Sequence, residues 1–245
     1  DNIASDVTVI GDLNITPREL TPSATKIYDG ENSATITLGN LVDSETLGQD
    51  DVTLSSPNAG SRYVTAMQLS DGTNSGKASN YKLPDLASRS NDNWVQIIPR
   101  EIAIQAEKTY DGRTSVGATA INLTAVPFTT LGTEKDTGLV AGETLTIESA
   151  TGSSARAGEH YLSSIKLSDG TGLVSNYRIF SQPDLVAGST IALDPSPGGY
   201  PNNHLKINRR ELAISLTNSD VSKVYDGTTD AKVADGNNAN ADFVP

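Results

Sequence analysis

Apolar and polar residues alternate at Ala34-Thr35-Ile36-Thr37-Leu38, Val52-Thr53-Leu54, Ile102-Ala103-Ile104, Leu145-Thr146-Ile147 and Leu212-Ala213-Ile214-Ser215-Leu216. A period of two puts every second side chain on one face, so each stretch predicts a half-buried β-strand. Asp-Gly, Ala-Gly and Ser-Asp-Gly-Thr turn signals stand between them. They recur every eight to fifteen residues or so, roughly the spacing of a sandwich or a small mixed β-domain. No apolar stripe of helical period runs beyond about two turns. The expected fold class is all-β.

The pattern repeats itself. Ile15-Thr16-Pro17-Arg18-Glu19-Leu20 returns as Ile97-Ile98-Pro99-Arg100-Glu101-Ile102 and Ile207-Asn208-Arg209-Arg210-Glu211-Leu212. Each is followed by Lys-x-Tyr-Asp-Gly, with Tyr28-Asp29-Gly30, Tyr110-Asp111-Gly112 and Tyr225-Asp226-Gly227. The starts at 15, 97 and 207 make the first period 82 residues and the second 110. Within each period, Ala59-Gly60 and Leu69-Ser70-Asp71-Gly72 return as Ala157-Gly158 and Leu167-Ser168-Asp169-Gly170, nine residues from glycine to leucine both times. Asn80-Tyr81 returns as Asn176-Tyr177. Such periodicity predicts tandem small β-sandwich-like or β-grasp-like modules arranged head to tail. The expected organisation is the end of a preceding module over 1–14, module one over 15–96, module two over 97–206 with two loop insertions, and a partial third module over 207–245. The incomplete ends admit two readings, excision from a longer array or completion by another molecule.

Local chemistry explains the recurring turns. In an Asp-Gly pair, glycine supplies positive φ without steric cost and the aspartate can bond its own backbone two residues on. Tyr28, Tyr110 and Tyr225 precede such a turn, and each ring is expected to cover a module end with its hydroxyl bonded locally. Pro17 and Pro99 are expected at strand starts, where a missing N–H is harmless.

Composition narrows the function classes. The net charge of −12 argues against nucleic-acid backbones or anionic membranes as partners. The absence of cysteine removes disulfides, thiolate metal sites and thiol nucleophiles. No apolar run long enough for a membrane helix occurs, and any export signal or anchor is expected outside this segment. The two histidines, His160 and His204, are not at metal-ligand spacing, and the serines lack a Gly-x-Ser-x-Gly elbow. Phosphate-binding glycine loops are absent, so an enzyme is not expected. The 30 acidic residues leave weak calcium candidates at Asp71 with Asn74 and at Asp169, although none matches a spaced Asp-x-Asp-x-Asp-Gly loop. No other cofactor is expected. Seven of the eight tyrosines fall on repeated positions, which makes them framework. Outside that set Trp94, Phe128 and Tyr200 are the candidate ligand-facing aromatics, with packing as the alternative role for Trp94.

The order Pro-Arg-x-Leu, Lys-x-Tyr-Asp-Gly, a Thr-Leu strand, Ala-Gly and Asn-Tyr-x-Leu resembles the YDG-type repeat of large bacterial surface proteins, including filamentous-haemagglutinin-like exoproteins and other adhesins. The matching blocks are Arg18-Glu19-Leu20, Tyr28-Asp29-Gly30, Asp51-Val52-Thr53-Leu54, Asn58-Ala59-Gly60 and Asn80-Tyr81-Lys82-Leu83. In the second copy they are Arg100-Glu101-Ile102, Tyr110-Asp111-Gly112, Glu143-Thr144-Leu145-Thr146-Ile147, Ala157-Gly158 and Asn176-Tyr177-Arg178-Ile179. Asn208-Arg209 replaces the proline junction, and Leu212 to Tyr225 is five residues longer than its counterparts. The resemblance implies a secreted, cell-surface module without enzymatic activity, serving as a stalk or spacer in adhesion or biofilm, with neighbouring modules of the same chain as partners. Two alternatives stand beside it. One is a glycan- or protein-binding module using the inserted loops of module two. The other is a filament subunit that completes its partial module by strand addition.

Overall fold

The computed structural model describes residues 14–126, 137–179, 182, 184–194, 202–213, 224, 225 and 227. The chain divides into two compact units, residues 1–209 and residues 210–245. Among the described residues the first unit holds seventeen β-strands and three single-turn 3-10 helices. The protein is all-β, as the alternation implies.

A first set of strands comprises β1 (Arg18–Glu19), β2 (Thr21–Ile27), β3 (Thr37–Gly39), β4 (Leu47–Leu54), β5 (Gly60–Arg62), β6 (Val64–Asp71), β7 (Tyr81–Lys82) and β8 (Trp94–Ile98). A second set opens with β9 (Arg100–Thr109), β10 (Ser115–Val116), β11 (Ile121–Thr124) and β12 (Leu145–Gly152). It continues with β13 (Gly158–His160), β14 (Leu162–Asp169), β15 (Tyr177–Ile179), β16 (Thr190–Ala192) and β17 (Asn203–Asn208). Each set builds a mixed sheet, in the orders β3-β2-β8-β5 and β11-β9-β17-β13. At the centre of each is one parallel pair, β2 with β8 and β9 with β17. An antiparallel hairpin accompanies each sheet, β4-β6 in one and β12-β14, flanked by β10 and β16, in the other.

The registers recur with the sequence blocks. Arg18 lies opposite Tyr81 and Arg100 opposite Tyr177. Gly60 faces Ile97 as Gly158 faces Ile207, and Leu47 faces Asp71 as Leu145 faces Asp169. A slip of one residue would turn every core side chain outward, so identical registers keep identical faces buried. Buried asparagines pin the start of both hairpin return strands. Asn93 accepts from the Val64 N–H at 2.9 Å and donates to its carbonyl at 3.0 Å. Asn203 does the same to Leu162 at 3.0 and 2.9 Å. One departure has a simple cause: Ile104 N donates to Asn202 O, whereas its counterpart Pro22 has no N–H to give.

In β8 burial alternates, with Val95 and Ile97 inside. In β9 four consecutive residues, Glu101 to Ile104, are buried, as expected of a central strand paired on both edges and covered on both faces. Val64, Val95 and Ile97 of the first set join Ile102, Leu162 and Leu205 of the second in one hydrophobic cluster. Leu20, Leu47 and Tyr81 form a smaller, separate one.

Several sequence expectations are corrected. The alternation at 34–38 becomes strand only over Thr37–Gly39, and Ile36 packs inward from the preceding loop. Leu212 is 81% exposed, and neither it nor Ala213 is in a strand; Ile214 to Leu216 lie outside the described residues. Strand β8 ends at Ile98 and β17 at Asn208, each one residue after the isoleucine that opens a repeated block. The Asp-Gly turns divide into two kinds. Gly30, Gly112 and Gly227 have φ of +83°, +76° and +79°. Gly72 and Gly170 do not have positive φ; a Cβ there would sit 1.9 Å from the Thr46 carbonyl oxygen and 2.3 Å from that of Thr144. Close approach of backbone, not handedness, requires glycine at that second kind of turn.

Candidate functional site

The Lys-x-Tyr-Asp-Gly block is a self-contained clasp. Asp29 Oδ1 accepts from Glu31 N at 3.0 Å, closing the turn. Lys26 pairs with Asp29 at 2.6 Å and donates to the carbonyls of Glu31 and Ser33. The second copy repeats this: Asp111 accepts from Arg113 N at 2.9 Å, while Lys108 pairs with Asp111 at 2.8 Å and donates to the carbonyls of Arg113 and Ser115. The motif lysine therefore ties down the loop after the turn.

The clasp aims Tyr28 out of its own sheet. Its hydroxyl donates to Glu143 Oε1 at 2.5 Å, 115 residues away, so the expectation of a local partner is overturned. The physical reason is that the turn leaves the hydroxyl facing the second set, where a carboxylate waits. Tyr177 donates to the other oxygen of Glu143 at 2.5 Å and accepts from Val140 N at 3.0 Å. The two rings meet edge to face, with centroids 5.6 Å apart and planes at 84°. Tyr28 and Tyr177 are 3% and 1% exposed. Burial first, and then the hydrogen bond to Glu143, push the Tyr28 phenol up to about 12 and raise that of Tyr177 as well.

Three further contacts surround this Tyr–Glu–Tyr core. Asn176 accepts from Ala59 N at 2.9 Å and donates to Asn58 Oδ1 at 3.0 Å. The Arg100 guanidinium donates to the carbonyls of Tyr28, Gly138 and Thr137. Gly30 approaches Val140 so closely that a Cβ would stand 3.2 Å from its methyl. A cleft of about 380 Å³ lies alongside, lined by Ala59, Gly60, Gln96 and Pro99 on one side and Ser175, Tyr177, Asp184 and Leu185 on the other. The motif residues Tyr28, Asn176 and Tyr177 thus meet in one place.

The remaining expected sites are dispersed. Asn80 is exposed, and Tyr81 is buried, donating to Glu45 Oε2 at 2.5 Å. Tyr110 is 43% exposed and Tyr225 91% exposed; Asp226 lies outside the described residues. Of the calcium candidates, Asp71 gives one oxygen to Lys77 at 2.7 Å and the other to Ala78 N at 2.9 Å. The Lys77 bond, reinforced by Ala78 N, holds its carboxyl below the usual range. Asp169 accepts from Val174 N at 2.7 Å, and Asn74 donates to Ser44 O at 2.6 Å. No group of three or more potential ligands that could hold a metal occurs among the described residues. Trp94 is half-buried at the start of β8, while Phe128 and Tyr200 lie outside the described residues. No helix among the described residues is long and apolar enough to cross a membrane.

Sequence reasoning missed Glu45 and Glu143. It matched Asp51-Val52-Thr53-Leu54 with Glu143-Thr144-Leu145-Thr146-Ile147, but the ladders equate Leu47 with Leu145. The recoverable signal was the string Glu-Thr-Leu, present at 45–47 and again at 143–145. No family model, curated protein or solved structure matches this chain.

Proposed function

We propose that this chain is a run of head-to-tail β-modules from a bacterial surface adhesin or fibre, acting as a non-catalytic stalk that holds a distal part away from the cell. The observation that carries this reading is the bond from Tyr28 to Glu143. The residues that make the sequence repetitive are the ones engaged at the contact between consecutive repeats. A stalk needs joints that resist bending. An apolar edge contact, a doubly bonded carboxylate and the Asn176 and Arg100 bonds act along different directions. Rotating one repeat against the other breaks at least one of them. Secretion, surface location and YDG-type membership belong to the same reading through the resemblance of the repeated blocks.

Two measurements test it. Small-angle scattering is expected to give an elongated particle of fixed length, which Glu143→Ala turns into a flexible one. In a cell-display format with the chain placed between anchor and adhesive tip, replacement by an unrelated rod of equal length is expected to retain adhesion. Loss of adhesion on that replacement would refute the stalk and favour ligand binding by the inserted loops.

A further inference from the structure

Two phenols from different repeats lean on one carboxylate, and their rings already touch. Tyr28 donates to Glu143 Oε1 and Tyr177 to Glu143 Oε2, each at 2.5 Å. The ring centroids stand 5.6 Å apart at 84°. In an edge-to-face pair at that separation the nearest ring carbons are roughly 4 Å apart, which is van der Waals contact. The shared acceptor turns both hydroxyl ends toward one point. Between described residues this is the one ring–ring contact. The same phenol–carboxylate bond joins Tyr81 to Glu45, but no second ring from a described residue meets Tyr81 there.

Composition removes the competing chemistry. The chain has no cysteine and one methionine, so the side chains that usually consume an oxidant first are nearly absent. No disulfide can lock one repeat to the next. A phenylalanine at 28 would fill the same space, and the tyrosine there adds a hydroxyl and the redox chemistry of a phenol.

We infer that Tyr28 and Tyr177 form an oxidative cross-linking site, where a diffusible one-electron oxidant joins consecutive repeats through a carbon–carbon bond between the two rings. Each phenol gives one electron to an equivalent of oxidant and its hydroxyl proton to Glu143, which is half-buried and passes the proton on to water. The two phenoxyl radicals couple at the ring carbons beside their oxygens. The hydrogens on those carbons then move to the oxygens and restore two phenols. In all, the rings lose two electrons to two equivalents of oxidant and two protons to solvent. An electron can leave a buried ring without contact with the oxidant, whereas the proton needs a base within hydrogen-bond reach, and Glu143 is that base. The cleft of about 380 Å³ that Tyr177 helps to line brings solvent beside the pair. Exposures of 3% and 1% keep the radicals away from other molecules, so coupling stays within one chain.

The site requires the contact between repeats and not the stalk role, and the full chain tests both. Each of the eight tyrosines lies on its own tryptic peptide, Tyr28 on 27–62 and Tyr177 on 167–178, so mass spectrometry identifies the pair that joins. The protein is held at about micromolar concentration, where a pair already in contact outruns collisions between molecules. Photogenerated ruthenium(III) tris-bipyridine is then expected to join 27–62 to 167–178 with loss of two hydrogens, giving dityrosine fluorescence in the monomer. Tyr28→Phe or Tyr177→Phe should abolish that product, and Glu143→Gln should lower its yield severalfold. Tyr81→Phe and Tyr110→Phe should leave it unchanged. No such product from the wild-type chain, or Tyr28 joined to a different tyrosine in its place, overturns the site; an unchanged yield in Glu143→Gln overturns the proton route. Ala59→Cys with Ser175→Cys, two positions lining the same cleft, reports the contact independently through a short bis-maleimide. If the cysteines link and the tyrosines do not, only the cross-linking site fails. If neither pair links, the internal contact is absent and the stalk reading falls with it.

Discussion

Tyr28→Phe removes one oxygen and keeps the ring against Tyr177, so it isolates the bond to Glu143. A hydrogen bond to a charged acceptor contributes about 1.5–3 kcal/mol net. Tyr28 is 3% exposed, but Glu143 is only half-buried and keeps its bond from Tyr177. These place the expected loss in the lower part of the range, about 1.5–2 kcal/mol. The edge-to-face contact, generally worth about 0.5–1.5 kcal/mol, survives in the variant. Trp94 is the only tryptophan and lies half-buried in β8, so its fluorescence follows unfolding of the first set in urea. The midpoint is expected to fall by about 0.5–1 M. Tyr110→Phe is the matched control, with the same motif and clasp but no acceptor among the described residues, and should stay within about 0.5 kcal/mol of wild type. Equal losses from the two variants, or no loss from Tyr28→Phe, would refute the assignment of Tyr28 as a joint residue.

The same phenol makes stability depend on alkaline pH. Its pKa rises from 10.0 to about 12 on folding, so the contribution is complete below pH 10 and is lost as pH climbs through 12; Tyr28→Phe should flatten that part of a urea-midpoint profile. Asn93→Leu strips partners from both Val64 backbone groups, and a loss of about 2–4 kcal/mol in urea unfolding is expected. Gly72→Ala drives a Cβ onto the Thr46 carbonyl oxygen and should cost about 2 kcal/mol or more, whereas Gly117→Ala has open space and a φ of −67° and should be neutral or gain up to about 0.5 kcal/mol in thermal melts. Lys108→Met leaves Asp111 and two carbonyls without their cation; a loss of about 1–2 kcal/mol and faster protease cleavage near Arg113 should result.

How far the chain could be read depended on the range of each interaction. The Tyr28-Asp29-Gly30 and Tyr110-Asp111-Gly112 turns were legible because Asx bonding and positive φ act within three residues. Gly72 looked the same in sequence, yet its constraint comes from Thr46, which only the β4-β6 pairing brings beside it. The parallel pairs β2-β8 and β9-β17 join strands separated by most of a repeat, and alternation carries no information about the direction of such a partner.

What the amino-acid order determined alone is therefore local and periodic: an all-β chain, repeated blocks at fixed spacing, and glycine turns that aim one tyrosine per repeat. What only the tertiary structure decided is where that tyrosine goes. Alternation and turn chemistry are short-range and leave a signature in neighbouring residues. The acceptor Glu143 is supplied by a different stretch of chain, set by sheet registers that add up over the intervening 115 residues, and its sole trace in the sequence was a Glu-Thr-Leu string that gains meaning once Leu47 and Leu145 are seen at equivalent rungs.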